Sequence, residues 1–140
     1  MFSKTGGIAL RLLSPNEGTT RTINMNTTTD TQILQVRKCH KYGVQPVECD
    51  HDMKVGISLN VKEGILPLNG LRCNPSGDTC GWYIWAGQWS DEADFFKPLH
   101  VNHLSDWCPQ VLPFLKLPPG WRFLVTPNHE DVWRDEDLVL

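Results

Sequence analysis

Cys80-Gly81-Trp82-Tyr83-Ile84-Trp85-Ala86-Gly87-Gln88-Trp89-Ser90-Asp91-Glu92-Ala93-Asp94-Phe95-Phe96-Lys97-Pro98-Leu99-His100-Val101-Asn102-His103-Leu104 holds three of the six Trp in this 140-residue chain, its only adjacent Phe pair and two of its five His. Large aromatic side chains bury large areas, so this stretch is expected to build the core. Residues 81–86 are apolar at successive positions, which predicts a strand covered on both faces and therefore central in a sheet. Gly87 ends it. Beyond it, Ser90 or Asp91 is expected to open a helical turn, with Asp91, Glu92 and Asp94 suited to its positive N-terminus. Pro98 is expected to close that element.

Working outward toward the C-terminus, residues 101–107 and 109–115 predict two short helices broken at Cys108-Pro109, with Pro109 at the first position of the second. Pro118-Pro119-Gly120 reads as a rigid turn. Strands are predicted at 121–126 and 131–134, joined by Pro127-Asn128-His129-Glu130 as an antiparallel hairpin. Trp82 and Trp121 are both expected to be largely buried on strands.

Toward the N-terminus, Asn74-Pro75-Ser76-Gly77-Asp78 is a turn by its chemistry. Residues 65–71 contain Pro67 and Asn69-Gly70, which predicts a loop or a short edge piece. Val55, Ile57, Leu59 and Val61 alternate with small or polar residues, the pattern of a half-buried strand over 54–61. Asp30 or Thr31 is expected to cap a helix running to about Lys41, with Ile33, Val36 and Cys39 as its apolar stripe, Leu34 beside them and Gly43 as its stop. Residues 1–28 are rich in Thr, Gly, Ser and Asn and lack Trp and Tyr. Such a segment buries too little to offset its ordering entropy, so it is read as a disordered tail or a start-site artefact, with Met25 as an alternative start. The expected architecture is a single α+β domain over residues 29–140, a small antiparallel sheet of about four strands packed with short helices.

The net charge of −3 is unevenly spread. Residues 1–79 carry nine Lys and Arg against seven Asp and Glu, whereas residues 80–140 carry four against nine. The acidic C-terminal part argues against nucleic-acid binding, which needs a basic footprint. It suits a basic protein partner, although surplus carboxylates also serve any solvated surface. Five Cys is an odd number at irregular spacings, unlike a secreted disulfide framework. No stretch reads as a signal peptide or a membrane span, so the expectation is a cytoplasmic protein with reduced thiols and no membrane partner. The oligomeric state is not legible.

Three constellations could carry chemistry. His100 and His103 would share a helical face, and with Cys108, or with Cys73 and Cys80 upstream, they are the candidate metal ligands. The competing reading has His100 bonded to backbone, His103 in solvent and the Cys filling the core. Cys80 with His100 as base would form a thiol nucleophile, although a thiol at an apolar strand is usually inert. Asp91, Glu92 and Asp94 could act as acid–base carboxylates, against the simpler role of capping a helix. No phosphate-cradling loop is present, and no cofactor is expected. Trp89, placed after the strand end, is either a partly exposed interface anchor with Asp91, Glu92 and Asp94 as its polar rim, or a ring folded over the core edge.

Gly81-Trp82-Tyr83-Ile84-Trp85-Ala86-Gly87, Phe95-Phe96-Lys97-Pro98-Leu99-His100-Val101-Asn102-His103-Leu104, Leu117-Pro118-Pro119-Gly120-Trp121-Arg122-Phe123-Leu124 and Asp131-Val132-Trp133 resemble the bacterial immunity protein 33-like domain family, over about residues 32–138. The resemblance implies a non-enzymatic protein-binding module that neutralises a cognate toxin of a polymorphic toxin system. It brings no catalytic residues. The alternative is a small metal- or thiol-dependent hydrolase using His100, His103 and a Cys.

Overall fold

A computed structural model of the chain describes residues 23–139, with side chains from residue 29. The described residues divide into two units, one ending at Gln32 and the other beginning at Ile33. Of the tail predicted for residues 1–28, residues 1–22 lie outside the described residues, and the backbone of 23–28 is helical.

Helix α1 spans Ile23–Lys41. It ends where the sequence predicts but starts upstream of Asp30. Thr27, Thr28 and Thr29 do not stop it, because β-branching lowers helix propensity by only about 0.5 kcal/mol per residue. The predicted apolar stripe is displaced. Cys39 is fully buried, but Ile33 and Leu34 are exposed and Gln35 is buried instead. Polar contacts choose this face: Gln35 Nε2 donates to the Leu112 carbonyl at 2.9 Å, and Lys38 Nζ donates to Glu130 Oε1 at 2.9 Å. Tyr42 adds its hydroxyl to Glu130 Oε2 at 2.6 Å.

The second unit is built on one mixed sheet. Its strands are β1 (Lys54–Ile57), β2 (Leu68–Arg72), β3 (Thr79–Ala86), β4 (Lys97–His100), β5 (Trp121–Thr126) and β6 (His129–Arg134). They lie in the order β4-β1-β3-β2-β5-β6. Only the β1–β3 pair is parallel; the other four pairs are antiparallel. The fold is therefore α+β as expected, but with six strands rather than four and a mixed rather than purely antiparallel sheet.

Two differences account for the larger sheet, and a third shortens one of its strands. Residues 68–72 form an interior strand between β3 and β5, not a loop or an edge. Pro67 lies just outside the ladder, where its missing N–H costs nothing. Gly70 is no turn residue: a side chain there would collide with the Phe123 ring that packs across it. Pro98 likewise does not end an element but sits within β4, which pairs only with β1. An edge strand tolerates proline because one side makes no ladder bonds. Conversely, the strand expected over 54–61 stops at Ile57. Leu59–Glu63 is a 3-10 helix with Val61 buried and Leu59 exposed. Asn60 forces the change, since its side chain donates to the Ala86 carbonyl and accepts from the Ala86 N–H.

The chain after β4 follows the predicted pattern: a 3-10 turn Val101–His103, α2 (Leu104–Trp107), then a 3-10 helix Pro109–Phe114 beginning at Pro109. These segments cover the inner face of the sheet. Val55, Ile57, Cys80, Trp82, Ile84 and Phe123 from the strands meet Leu104, Val111, Phe114, Leu115 and Leu117 in one core. Trp82 is buried as expected and donates its indole N–H to the Leu115 carbonyl at 2.9 Å. Trp121 is on a strand as expected and packs against this core, but it is only partly buried, short of the enclosure of Trp82. It lies in the β5–β6 hairpin toward the edge of the sheet, opposite Arg134.

Candidate functional site

The alternation of β3 sends Cys80, Trp82, Ile84 and Ala86 to the inner core and Tyr83 and Trp85 to the outer face. Register extends that outer face in two rows. Tyr83 is flanked by Gly56 and Leu71, and Leu71 by Arg122. Trp85 is flanked by Asn69, and Asn69 by Leu124. Leu138, in the 3-10 helix Glu136–Leu138, lies at the margin of this face beside Leu71, Tyr83 and Phe96. The cover is residues 87–96, which carry no helix at all. The helical turn expected at Ser90 or Asp91 is reduced to one hydrogen-bonded turn, the Phe95 N–H donating to the Glu92 carbonyl at 3.1 Å, and no helix follows for Asp91, Glu92 and Asp94 to cap. Gly87 has a positive φ of 68°, which suits glycine and turns the chain at the end of β3.

Aromatic contacts hold this segment down. Trp89 meets Trp85 edge-on with centroids 5.0 Å apart, and Phe96 at 5.3 Å. Phe96 in turn meets Tyr83 at 5.2 Å and Phe95 at 4.8 Å. Tilted and edge-on pairs of this kind are each worth about 1 kcal/mol beyond the area they bury. Trp85 is buried beneath them, while Trp89 remains 48% exposed and Tyr83 38% exposed.

Trp89 stands between two grooves. One, about 430 Å³, is lined by Leu66, Pro67, Trp85 and Leu124. The other, about 420 Å³, has Leu71, Tyr83 and Phe96 in its lining, with Asp91 and Glu92 beside them. The Trp89 indole N–H donates to Asp91 Oδ1 at 2.8 Å, and the Glu92 N–H donates to Ser90 Oγ at 3.2 Å. None of the ion pairs among the described residues involves Asp91, Glu92 or Asp94. An apolar floor with exposed carboxylates at its margin can bind a surface that presents rings, aliphatic stems and positive charge. Sequence reasoning singles out Trp89 and the acids but misses Tyr83, Leu71 and Phe96. The available signal was the two-sided apolar run of β3 beside the Phe95-Phe96 pair.

The other candidates are dispersed. His100 ends β4 and makes no capping bond, His103 is exposed, and their ring centroids are 6.3 Å apart. Cys108 is buried, and burial pushes its thiol up to about 12. Among the described residues no group of three or more His, Cys, Asp or Glu could hold a metal ion. Cys80 is fully within the core, and the side chain in contact with it is Cys49 rather than His100. Nothing in this arrangement supports a hydrolase.

The sequence also leaves Arg72 unmarked. It is buried, with no carboxylate in contact, and its guanidinium donates to the carbonyls of Cys80, Val47, Leu115, Leu117 and Glu48 at 2.7–3.3 Å. Five acceptors replace the lost hydration of the charge. They tie residues 47–48, β3 and the segment after the 3-10 helix Pro109–Phe114 together. Arg72 is thus a structural hub of the inner layer.

No curated protein and no solved structure matches the chain. The Imm33-like domain matches residues 34–135, most of the chain and nearly all of the second unit, and the chain therefore belongs to the Imm33-like domain family.

Proposed function

We propose that this protein is a bacterial, cytoplasmic immunity protein that binds and neutralises a cognate protein toxin, and that it does so through the outer face of its sheet. Membership of the Imm33-like domain family supports a protein-binding role. The observation that carries the choice of surface is Trp89, half-exposed between two apolar grooves and beside carboxylates without ion-pair partners. In this role Trp89 is the anchor, and Asp91, Glu92 and Asp94 form the polar rim. The surplus of acids in the C-terminal part would speed encounter with a basic toxin surface.

The test is co-expression with each toxin reading frame adjacent in the genome of origin. Restored growth together with a co-purifying one-to-one complex is the expected result. Growth arrest unrelieved by this protein, with no complex by size-exclusion chromatography for any neighbouring toxin, overturns the immunity reading. A complex whose affinity is unchanged by Trp89→Ala and Glu92→Lys keeps the immunity reading and removes the outer face from it.

A further inference from the structure

Cys49 and Cys80 are 31 positions apart in sequence, yet their Sγ atoms are 3.2 Å apart, with the Cys49 thiol donating to the Cys80 sulfur. The two residues sit on different kinds of backbone. Cys80 is in β3, an interior strand flanked by β1 and β2, at the register irregularity between Thr79 and Tyr83, and it is 1% exposed. Cys49 lies in residues 44–50, which have no regular structure and make no ladder bonds, and it is 8% exposed. That segment is fastened instead by the Val47 N–H to the Lys116 carbonyl and by Arg72 to the carbonyls of Val47 and Glu48. The same guanidinium bonds the Cys80 carbonyl. A fixed positive charge therefore stands beside the two sulfurs, the surroundings that favour thiolate and reactive sulfur over inert core thiol.

We propose that Cys49 and Cys80 form an oxidation site, at which hydrogen peroxide converts the dithiol into a reversible disulfide that staples residues 44–50 to β3. Of the two, Cys80 is the nucleophile. Its thiol is lowered to about 7, first by the hydrogen bond from Cys49 and then by the Trp82 N–H and the Arg72 charge, against burial. Cys49 is raised, by its bond to Cys80 and by burial. In the first step the Cys80 thiolate attacks one peroxide oxygen. An S–O bond forms, the O–O bond breaks, and the leaving hydroxide takes a proton to become water. Cys80 is then a sulfenic acid. In the second step the Cys49 sulfur attacks it, the S–S bond forms, and the S–O bond breaks. The departing hydroxide leaves as water with the Cys49 proton. The two sulfurs together lose two electrons, and one peroxide gains them.

The other cysteines differ. Cys73 is half-buried, its thiol is raised by burial, and no sulfur is in contact with it. Cys108 and Cys39 are buried, and their thiols are likewise raised by burial. Oxidation is thus expected at one pair out of five thiols.

The experiment treats the folded protein with hydrogen peroxide, then unfolds it in guanidinium, alkylates the remaining thiols, and maps the digested peptides. The expected result is a Cys49–Cys80 cross-linked peptide, a fall from five alkylatable thiols to three, and recovery of all five with dithiothreitol. The oxidised form should melt at a higher temperature, because the staple closes a long loop of the unfolded chain. In Cys49→Ser, Cys80 should stop at the sulfenic acid and be trapped by dimedone, and Cys73→Ser should form the cross-link unchanged. Should Cys49→Ser not fold, the wild-type map and Cys73→Ser still decide. The proposal is overturned if Cys73 is oxidised while Cys49 and Cys80 stay alkylatable. It is equally overturned if, with the alkylating agent applied to the folded protein, Cys108 is modified at the rate at which the cross-link forms, since the reaction would then pass through unfolding.

Discussion

The two faces of β3 are nearly equal in apolar content and opposite in use. On the inner face, Trp82 and Ile84 are sealed between the sheet and the short helices, and Trp82 has its one polar atom bonded to a buried carbonyl. On the outer face, Tyr83 and Trp85 are covered by the helix-free segment 87–96, which brings its own rings, with Leu138 at the margin, and Trp89 is left half in solvent. An aromatic ring supplies stability where it is enclosed and fixed by its partners. Where it is packed on one side only, it supplies a surface. A chain that needed only a fold would gain little from exposing Trp89 and Tyr83, so the outer face is where selection for binding is to be sought.

The comparison breaks most readily at Trp82. Trp82→Ala removes a sealed ring, its 5.4 Å contact with Phe123 and its bond to Leu115. Unfolding in urea should show a loss of about 4 kcal/mol, in the range for large core aromatics. That is a large part of the stability of a typical domain, so the variant should be marginally folded. A melting curve like that of the wild type would mean that the inner face is not the core.

Glu130 sharpens the inner side at its rim. Burial works against its carboxylate, but hydrogen bonds from Lys38, Tyr42 and Lys41 outweigh this and hold its pKa at about 2 rather than the usual 4.5. A carboxyl depressed in the folded state adds stability that is fully present above its unfolded pKa and is lost as the pH falls through its folded one. Glu130→Gln should therefore cost about 2 kcal/mol at neutral pH, in line with a charged hydrogen-bond group at a partly buried site. The gap between variant and wild type should narrow from about pH 4.5 downward and close near pH 2. Parallel denaturation curves across that range check it, and a pH-independent gap would show that Glu130 is not the clasp between α1 and β6.

How much of this was legible follows the range of the interactions. β3, β5, β6 and the broken helices over 101–114 were read almost as they stand, because alternation, Gly-Pro punctuation and Cys108-Pro109 are local signals. β2 and β4 were missed because Pro67, Asn69-Gly70 and Pro98 carry turn chemistry that only neighbouring strands override. The end of β1 was missed because Asn60 is held by the Ala86 backbone, 26 positions away. The outer face was half legible. Trp89 and its acids stood out by composition, but Tyr83, Leu71 and Phe96 join them only through strand register and a ring contact. The Cys49–Cys80 contact and the five carbonyls around Arg72 depend on tertiary folding alone and leave no trace in spacing.

The smallest expected effect on stability is the one that tests the comparison from the outer side. Trp89 is held by Trp85, Phe95 and Phe96, and by its own bond to Asp91, yet 48% of it faces solvent. Those contacts make it a lid over Trp85; the exposed half makes it an anchor. Trp89→Ala should cost about 1 kcal/mol of stability, the order of a ring pair at a partly exposed site. The same variant should weaken partner binding by about 2 kcal/mol or more if the exposed half sits in the partner, as truncated anchor aromatics do. Trp89→Phe separates the two contributions, because it keeps a ring over Trp85 and removes the indole N–H and part of the exposed area. It should melt near the wild type and still bind more weakly. Full affinity in the folded fraction of a destabilised Trp89→Ala would make Trp89 a lid alone, and the outer face would then be a second core with an incomplete cover rather than a surface for a partner.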